Sequence, residues 1–250
     1  MTKRVMLVVA YEGTNYCGWQ LQANGVTIEG ILNQTLTELL GEPIVVTGAS
    51  RTDAGVHSCG NVAVFDTDTR IPPEKISYAL NQKLPDDIVV QHSCEVASDF
   101  HPRHCNSRKT YEYRILNRRF PLPMFRRDTY FYHYPLDEKK MGEAASYLVG
   151  EHDFKSFCSP STTAKTTVRT IYSLKVDRNG DLITIRVTGN GFLYNMVRII
   201  AGTLIEAGSG AKKPDAVTDM LAACNRSAAG PTAPAHGLTM IGIEYEENFL

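Results

Sequence analysis

The sequence predicts an α+β protein in which each half of the chain repeats the order β-α-β-β-α-β. Short apolar or alternating runs, typical of strands, are interleaved with longer segments whose apolar residues recur every three to four positions, as in amphipathic helices. Gly, Pro and an Asn-Gly pair mark turns between these segments. We therefore expect two ferredoxin-like lobes with a mainly antiparallel, continuous mixed sheet. The repeat is one of topology only, since the two halves share no residue-level similarity.

The first predicted lobe spans residues 1–104 and contains a helix whose two ends are both marked in the sequence. Thr27 is a suitable N-cap for a helix over 27–40, and Gly41 is a suitable stop. The other elements of this lobe are predicted as strands at 4–11, 43–48, 60–66 and from Ile88 onwards, and as a helix from Pro72 to Leu84.

The second predicted lobe spans residues 105–250, after a junction near 97–107. Asp137 is the predicted N-cap of a helix over 137–149. A hairpin is predicted across the Asn-Gly turn at 177–180. The remaining elements are strands at 111–116, 166–176, 182–187 and 240–245, and an apolar helix at 192–207 that ends at Gly208.

Composition limits the class of protein. The chain has 250 residues, of which 43% are hydrophobic, enough for a substantial core. The longest apolar runs are too short to span a bilayer. The basic N-terminus precedes an apolar run, but no small-residue cleavage site follows, so a signal peptide is not expected. The six cysteines are scattered without a C-x-x-C pair, which is typical of reduced thiols in a cytoplasmic protein.

Charge is distributed unevenly along the chain. The net charge is −1, yet residues 101–134 contain eight Lys and Arg against two acids, a local net of +6. Aromatic residues alternate with these cations, a combination suited to unpaired bases beside phosphates. The segment therefore indicates an RNA contact. A strand pair with a solvated basic face explains the segment equally well at this point.

The polar loop at 48–57 is the strongest candidate for chemistry. It joins two apolar strands but is longer than the two to five residues that a hairpin needs. Arg51, Asp53 and His57 place a guanidinium, a carboxylate and an imidazole within seven positions. The alternative is an ordinary turn in which Asp53 caps backbone amides and Arg51 is solvated.

Five stretches, in order along the chain, resemble motifs of the tRNA pseudouridine synthase A family. The loop residues 51–57, Arg-Thr-Asp-Ala-Gly-Val-His, match its R-T-D-x-G-V-H signature. The other matching stretches are 11–20, 99–103 with 108–113, 191–204, and 233–238. Three positions depart from the family pattern without removing a reacting group: Ser50, Pro102 and Ala201.

The resemblance implies an isomerase that converts uridine to pseudouridine at positions 38, 39 and 40 of the tRNA anticodon stem-loop. Asp53 is implied as the nucleophile, and Arg51 as a residue that holds the flipped-out nucleotide. Tyr111 is implied as the residue that stacks on the uracil, and Arg198 as the partner of Asp53. A cytoplasmic homodimer gripping one tRNA is implied. Neither a cofactor nor a metal is expected, because the reaction involves no redox change and no group enters or leaves.

Other interpretations stay open from the residues alone. One is an RNA-binding module without chemistry that uses the basic aromatic segment. Another is a metal-dependent hydrolase using His57, His101 and His104, although Pro102 opposes the helix on which an H-x-x-H pair usually binds metal. His57 is expected to be a structural residue or an RNA contact rather than a base. Asp53 could add to C1′ or remove a proton from C2′ to give a glycal.

Overall fold

A computed structural model describes residues 2–246 of the chain. Its strands and α-helices up to Ser107 are β1 (Lys3–Tyr11), α1 (Ile28–Leu40), β2 (Thr47–Gly48), β3 (His57–Thr67), α2 (Pro73–Asn81) and β4 (Ile88–Val96). Those that follow are β5 (Ser107–Asn117), β6 (Tyr130–Tyr132), α3 (Glu138–Ser146), β7 (Gly150–Asp153), β8 (Val168–Asn179), β9 (Leu182–Gly189), α4 (Met196–Ser209), α5 (Ala216–Ala223) and β10 (Leu238–Tyr245). The α+β class is therefore confirmed.

Contacts within the chain group the described residues into two units. The first contains residues 2–107 and 240–246, and the second contains residues 108–239. Most of β10 thus belongs to the first unit, although it lies at the end of the sequence. The predicted lobes, 1–104 and 105–250, stay a prediction.

The first unit is built on a sheet with the strand order β4-β1-β3-β10. β1 pairs antiparallel with both β3 and β4. Alternate residues of β1, namely Val5, Leu7 and Val9, are fully buried, as period-two alternation on one sheet face requires. Residues of α1 and α2 belong to the same core, among them Leu32 and Leu80. This sheet is the rigid base from which the loop before β3 extends.

Helix α1 confirms the capping predictions. The Thr27 hydroxyl accepts a hydrogen bond from the Gly30 N–H, and Gly41 is left-handed with φ of 72°. Asp137 caps α3 by accepting from the amides of Lys139 and Lys140. Both helices begin where a side chain replaces the missing intrahelical partner of a first-turn amide.

The predicted strand at 43–48 is wrong except at Thr47–Gly48. The amide of Ile44 donates to the Thr37 hydroxyl, and the amide of Val46 donates to the Asn33 side-chain oxygen. Ile44 and Val46 are buried and Val45 is exposed, so the alternation is real. The segment is extended, but side chains of α1, not a neighbouring strand, satisfy these two amides.

The second unit contains the strand order β5-β9-β8-β7, with β6 pairing parallel to β5. The β5–β9, β8–β9 and β7–β8 pairs are antiparallel, as expected. The hairpin turn lies at 180–181 rather than at 177–180, because β8 continues to Asn179 and Gly180 takes the left-handed conformation with φ of 59°. The short strands β6 and β7 and the helix α5 were not predicted.

The apolar helix of the second unit begins later than predicted. α4 starts at Met196 instead of Phe192, and its left-handed C-cap is Gly210 instead of Gly208. Asn195 has φ of 61°, a conformation that cannot continue a right-handed helix. Gly208 instead lies inside the helix, where an added Cβ would be 2.6 Å from Met141 Cγ of α3. Gly208 therefore allows close packing of α3 on α4.

Among residues 2–246, no helix has both the length and the apolar character needed to cross a membrane.

Candidate active site

The loop at 49–56, between β2 and β3, carries Asp53 and is fixed at both ends. The Ala49 amide donates to the Val62 carbonyl at 2.7 Å, and the fully buried Asn61 side chain donates to the Ser50 carbonyl at 3.0 Å. Within the loop, the Val56 amide donates to the Asp53 carbonyl at 3.1 Å. The backbone on either side of Asp53 is therefore held by hydrogen bonds.

The segment 11–20 supports this loop from outside it. The hydroxyls of Tyr11 and Thr52 hydrogen-bond at 2.7 Å, and the Trp19 amide donates to the Thr52 carbonyl at 3.1 Å. The Gly55 amide donates to the Tyr16 carbonyl at 3.3 Å. The opening motif of the sequence thus serves as a scaffold for the loop that contains Asp53.

Two glycines of the opening motif allow the scaffold to approach the loop backbone closely. A Cβ on Gly13 would lie 2.1 Å from the Val56 carbonyl oxygen. A Cβ on Gly18 would lie 2.5 Å from the Thr52 carbonyl oxygen, and Gly18 is also left-handed with φ of 85°. Any larger residue at either position would have to move the Asp53 loop or the scaffold.

His57 is a structural residue of the site. Its ring is buried, with 5% of the residue exposed, and its Nδ1 accepts a hydrogen bond from the Gly13 amide at 2.9 Å. A nitrogen that accepts from an amide carries no proton, so the ring proton is assigned to Nε2. The Glu12 carboxylate lies 3.7 Å from the same Nδ1. This geometry supports the structural role expected for His57 and not that of a base acting through Nδ1.

Neighbouring residues of the loop differ in their exposure to solvent. Arg51 is exposed, Asp53 is half-buried, and Thr52 between them is buried. Ser50, the residue that departs from the family pattern, is buried, and among residues 2–246 its hydroxyl has no hydrogen-bond partner. The buried Thr52 is held by hydrogen bonds of its hydroxyl and its carbonyl, while Arg51 stays accessible.

In the second unit, Tyr111 lies on β5 with 8% of the residue exposed. Its ring meets the Phe192 ring edge to face, with centroids 5.2 Å apart and planes at 80°. Phe192 belongs to the segment between β9 and α4 that carries the Gly-Phe-Leu motif. An aromatic pair in this arrangement holds both rings in fixed orientations.

Arg198 lies in the first turn of α4 and is oriented by two acceptors. Its Nε donates to the Ala233 carbonyl at 2.8 Å, and its Nη1 donates to the Asn195 side-chain oxygen at 2.8 Å. The Asn195 side-chain nitrogen donates in turn to the Ser159 hydroxyl at 2.7 Å. The left-handed residue that starts α4 therefore also positions the guanidinium of Arg198.

The closing motif at 233–238 is packed against β5 and α4. The Tyr113 hydroxyl donates to the Pro234 carbonyl at 2.9 Å, and burial raises the pKa of Tyr113. A Cβ on Gly237 would lie 2.8 Å from Tyr113 Cζ, and one on Gly202 of α4 would lie 1.8 Å from the Pro231 carbonyl oxygen. The three motifs of the second unit thus form one packed cluster.

The structure accordingly places the predicted site residues in two groups. Arg51 and Asp53 lie in one loop of the first unit and His57 begins β3 directly after it, whereas Tyr111 and Arg198 belong to the motif cluster of the second unit. The pairing of Arg198 with Asp53 stays a prediction.

Among residues 2–246, no group of three or more His, Cys, Asp and Glu is arranged to hold a metal ion. The rings of His101 and His104 lie 4.1 Å apart, and the His101 Nδ1 accepts a hydrogen bond from the Arg103 amide at 3.2 Å. The geometry gives the hydrolase interpretation no support.

Two residues that were not predicted as site residues, Phe192 and Asn195, organise the second group. Both fall within the helix predicted at 192–207, a prediction that gave no reason to expect either beside a site residue. The only sequence signal for Asn195 is its residue type, since Asn tolerates the left-handed conformation better than other non-glycine residues.

The chain matches the family described as tRNA pseudouridine synthase over residues 7–104 and 144–246. It belongs to this family, which confirms the family that its motifs indicated and, with it, the enzyme class of isomerase. Curated relatives named tRNA pseudouridine synthase A cover the chain more completely. One from Thermoanaerobacter pseudethanolicus is 49% identical over 243 residues, 97% of this chain and 100% of the relative. Those from Brevibacillus brevis and Geotalea uraniireducens are 48% and 44% identical over the same shares of each chain.

Proposed function

We propose that this chain isomerises uridine to pseudouridine at positions 38, 39 and 40 of the tRNA anticodon stem-loop, with Asp53 as the nucleophile. One observation carries the proposal. Asp53 is the single carboxylate of the loop 49–57, and the opening motif holds that loop through backbone contacts on both sides of it. A rigidly placed carboxylate is what the reaction needs.

The isomerisation breaks the N1–C1′ bond of uridine and forms a C5–C1′ bond to the same uracil. The hydrogen on C5 leaves as a proton while N1 gains one, so atoms and electrons balance without a redox partner. In one route Asp53 adds to C1′ as uracil departs. In the other it removes a proton from C2′, giving a glycal. Both routes use the same carboxylate.

The target uridine is stacked in a stem or its loop and must be flipped out to reach Asp53. The exposed side chain of Arg51, two residues from Asp53, is available to hold the displaced nucleotide. Tyr111, whose ring packs edge to face on Phe192, would be the aromatic group that stacks on uracil. Arg198, held by Ala233 and Asn195, would orient the Asp53 carboxylate.

The substrate surface includes the basic segment 101–134. Its only two acids are already bound by arginines, Asp128 by Arg114 and Glu112 by Arg186. Arg119 is exposed and lies over the ring of the exposed Phe120, at 5.2 Å from its centroid. Cations beside exposed rings favour RNA over a purely solvated face.

The proposed enzyme is a cytoplasmic homodimer whose two copies grip one tRNA. None of the six cysteines, all of which lie within residues 2–246, forms a disulfide, which supports a reducing compartment. The proposed assembly can be tested by measuring the mass of the complex with one tRNA in solution.

The test of the catalytic assignment uses Asp53→Asn and, as a control with the same loss of charge, Asp219→Asn on the exposed face of α5. Tritium release from tRNA labelled at uridine C5 reports catalysis, and pseudouridine mapping reports the positions modified. We expect Asp53→Asn to abolish release while tRNA binding and the Asp219→Asn activity stay near wild type. Near wild-type turnover in Asp53→Asn would refute the nucleophile, and modification outside positions 38–40 would refute the substrate assignment.

A further inference from the structure

Arg169, the second residue of β8, presents one edge of its guanidinium without a protein partner. Its Nη1 donates to the carbonyls of Thr166 at 3.0 Å and Val168 at 2.6 Å. Within the described part of the chain, Nε and Nη2 make no hydrogen bond, and no carboxylate lies within 4.0 Å. Since Nη1 has two protons and both are used, the Nε–Nη2 edge is the one left over.

The Nε–Nη2 edge belongs to a side chain that is only partly exposed to solvent. Arg169 is half-buried, and burial lowers its pKa below the ordinary value. Guanidinium groups stay charged at neutral pH, so Arg169 keeps a partly desolvated positive charge. Some other arginines of this unit are ion-paired with a carboxylate, such as Arg186 with Glu112. A structural role in holding the backbone at 166–168 accounts for the hydrogen bonds of Nη1. It does not account for the Nε–Nη2 edge.

Arg169 lies beside the segment that carries Phe192, the ring partner of Tyr111. The Arg169 Nε lies close to Gly191. A Cβ added to Gly191 would be 3.7 Å from this nitrogen, the distance of an ordinary van der Waals contact. Thr170 fixes this arrangement, because its amide donates to the Asn190 side chain at 3.0 Å and its carbonyl accepts from the Asn190 amide at 3.1 Å. The residue after Gly191 is Phe192, whose ring contacts Tyr111.

We propose that Arg169 is a substrate-binding residue, whose Nε–Nη2 edge binds a backbone phosphate of the nucleotide that Tyr111 receives, or of its neighbour. The planar fork of Arg matches two phosphate oxygens, and a partly desolvated site strengthens such a pair. The inference rests on the proposed function, since it takes the Tyr111–Phe192 pair as the place where uracil binds.

The test compares Arg169→Gln and Arg169→Lys with Lys175→Gln, a loss of one charge at an exposed position of the same strand. Single-turnover rates are measured on a tRNA substrate and on versions with one uncharged methylphosphonate next to the target uridine. We expect Arg169→Gln to lower the rate about 10- to 100-fold, the range for losing charge-assisted hydrogen bonds. Arg169→Lys should recover part of that loss, because it restores charge without the fork.

The methylphosphonate separates phosphate binding from a structural role. At the contacted phosphate it should lower the wild-type rate by a similar factor and lower the Arg169→Gln rate no further. The proposal is overturned if Arg169→Gln stays within twofold of wild type, or if the two losses multiply at every phosphate tested. Should Arg169→Gln not fold, the same coupling is measured in Arg169→Lys with the same criterion.

Failure of this inference is distinguishable from failure of the proposed function. If Arg169 has no phosphate role, wild type still forms pseudouridine and Asp53→Asn does not. If the proposed function fails, pseudouridine is absent from wild type or persists in Asp53→Asn, whatever Arg169 does.

Discussion

Replacing Gly13 with alanine would force the scaffold and the Asp53 loop apart. The new Cβ would lie 2.1 Å from the Val56 carbonyl oxygen and 2.7 Å from its carbonyl carbon. The first distance is about 1.3 Å short of the 3.4 Å at which ordinary contact begins. Both atoms are backbone, so neither can rotate away. The strain must be relieved by moving residues 12–14 or residues 53–57.

The size of the effect follows from that displacement. Overpacking of a well-packed site costs roughly 1–3 kcal/mol of stability. The Gly13 amide also donates to His57 Nδ1, and this bond would lengthen as the two segments separate. A displacement of about 1 Å at a catalytic group can lower a rate about 100-fold. We therefore expect Gly13→Ala to lose about 100-fold in single-turnover rate and roughly 1–3 kcal/mol in unfolding free energy.

The matched control is Gly142→Ala, the same substitution inside α3, where an added Cβ would meet nothing within 4 Å. Alanine is preferred over glycine in helix interiors, so this variant should gain roughly 0.5–1 kcal/mol and keep full activity. Denaturant unfolding and single-turnover tritium release on both variants check the two expectations. A Gly13→Ala enzyme with wild-type stability and a rate within twofold of wild type would show that the loop does not depend on this contact.

Three further predictions follow from the site. Arg198→Met should lower the single-turnover rate more than it lowers the thermal midpoint or tRNA binding, because it removes the group that would orient Asp53. Arg198→Lys should restore only part of the rate, because lysine keeps the charge but lacks the planar fork. Replacing Arg118 and Arg119 with alanine should flatten the dependence of log K on log salt by up to about 1.8, since each phosphate contact contributes about 0.9. Ser50→Ala should raise stability by roughly 1 kcal/mol with little change in rate, because it removes a buried hydroxyl that has no partner among residues 2–246.

For each of these three predictions, one outcome would contradict it. A normal rate in Arg198→Met would exclude Arg198 as the partner of Asp53. Replacing the exposed Lys139 and Lys140 of α3 with alanine removes the same charge as the double arginine variant, so equal flattening there would mean that the effect is only net charge. Loss of stability in Ser50→Ala would show that the hydroxyl is satisfied, for example by water.

Local signals predicted both ends of α1 and the start of α3. Thr27, Gly41 and Asp137 each act on amides or carbonyls within a few residues, so their role can be read from the adjacent sequence. The strand at 43–48 failed for the opposite reason. Its alternation is present, but whether an extended segment joins a sheet depends on what its amides meet, and two of them meet the side chains of Asn33 and Thr37.

For the candidate site too, the sequence identified individual residues but not the contacts that position them. The resemblance singled out Asp53, Tyr111 and Arg198 by residue type within a motif, but it gave no reason for the residues around them. The start of α4 depends on a left-handed Asn195 that no periodicity reveals, and the periodic apolar residues extended the prediction back to Phe192. A periodic pattern predicts which face is buried more reliably than where a helix begins.

The contacts also explain why the opening motif and the Asp53 loop occur as a pair. Gly13 and Gly18 are 40 and 35 residues before Asp53, yet both lie against the backbone of its loop, where any Cβ would collide. Such a contact places no chemical group in the site, so composition and residue type give no hint of it. Its effect is on the position of the Asp53 backbone, and loss of that position should appear in the rate of the chemical step before it appears in tRNA binding. Under the proposed mechanism, the glycines of the opening motif contribute to catalysis by fixing the position of the Asp53 backbone, although they supply no reacting group.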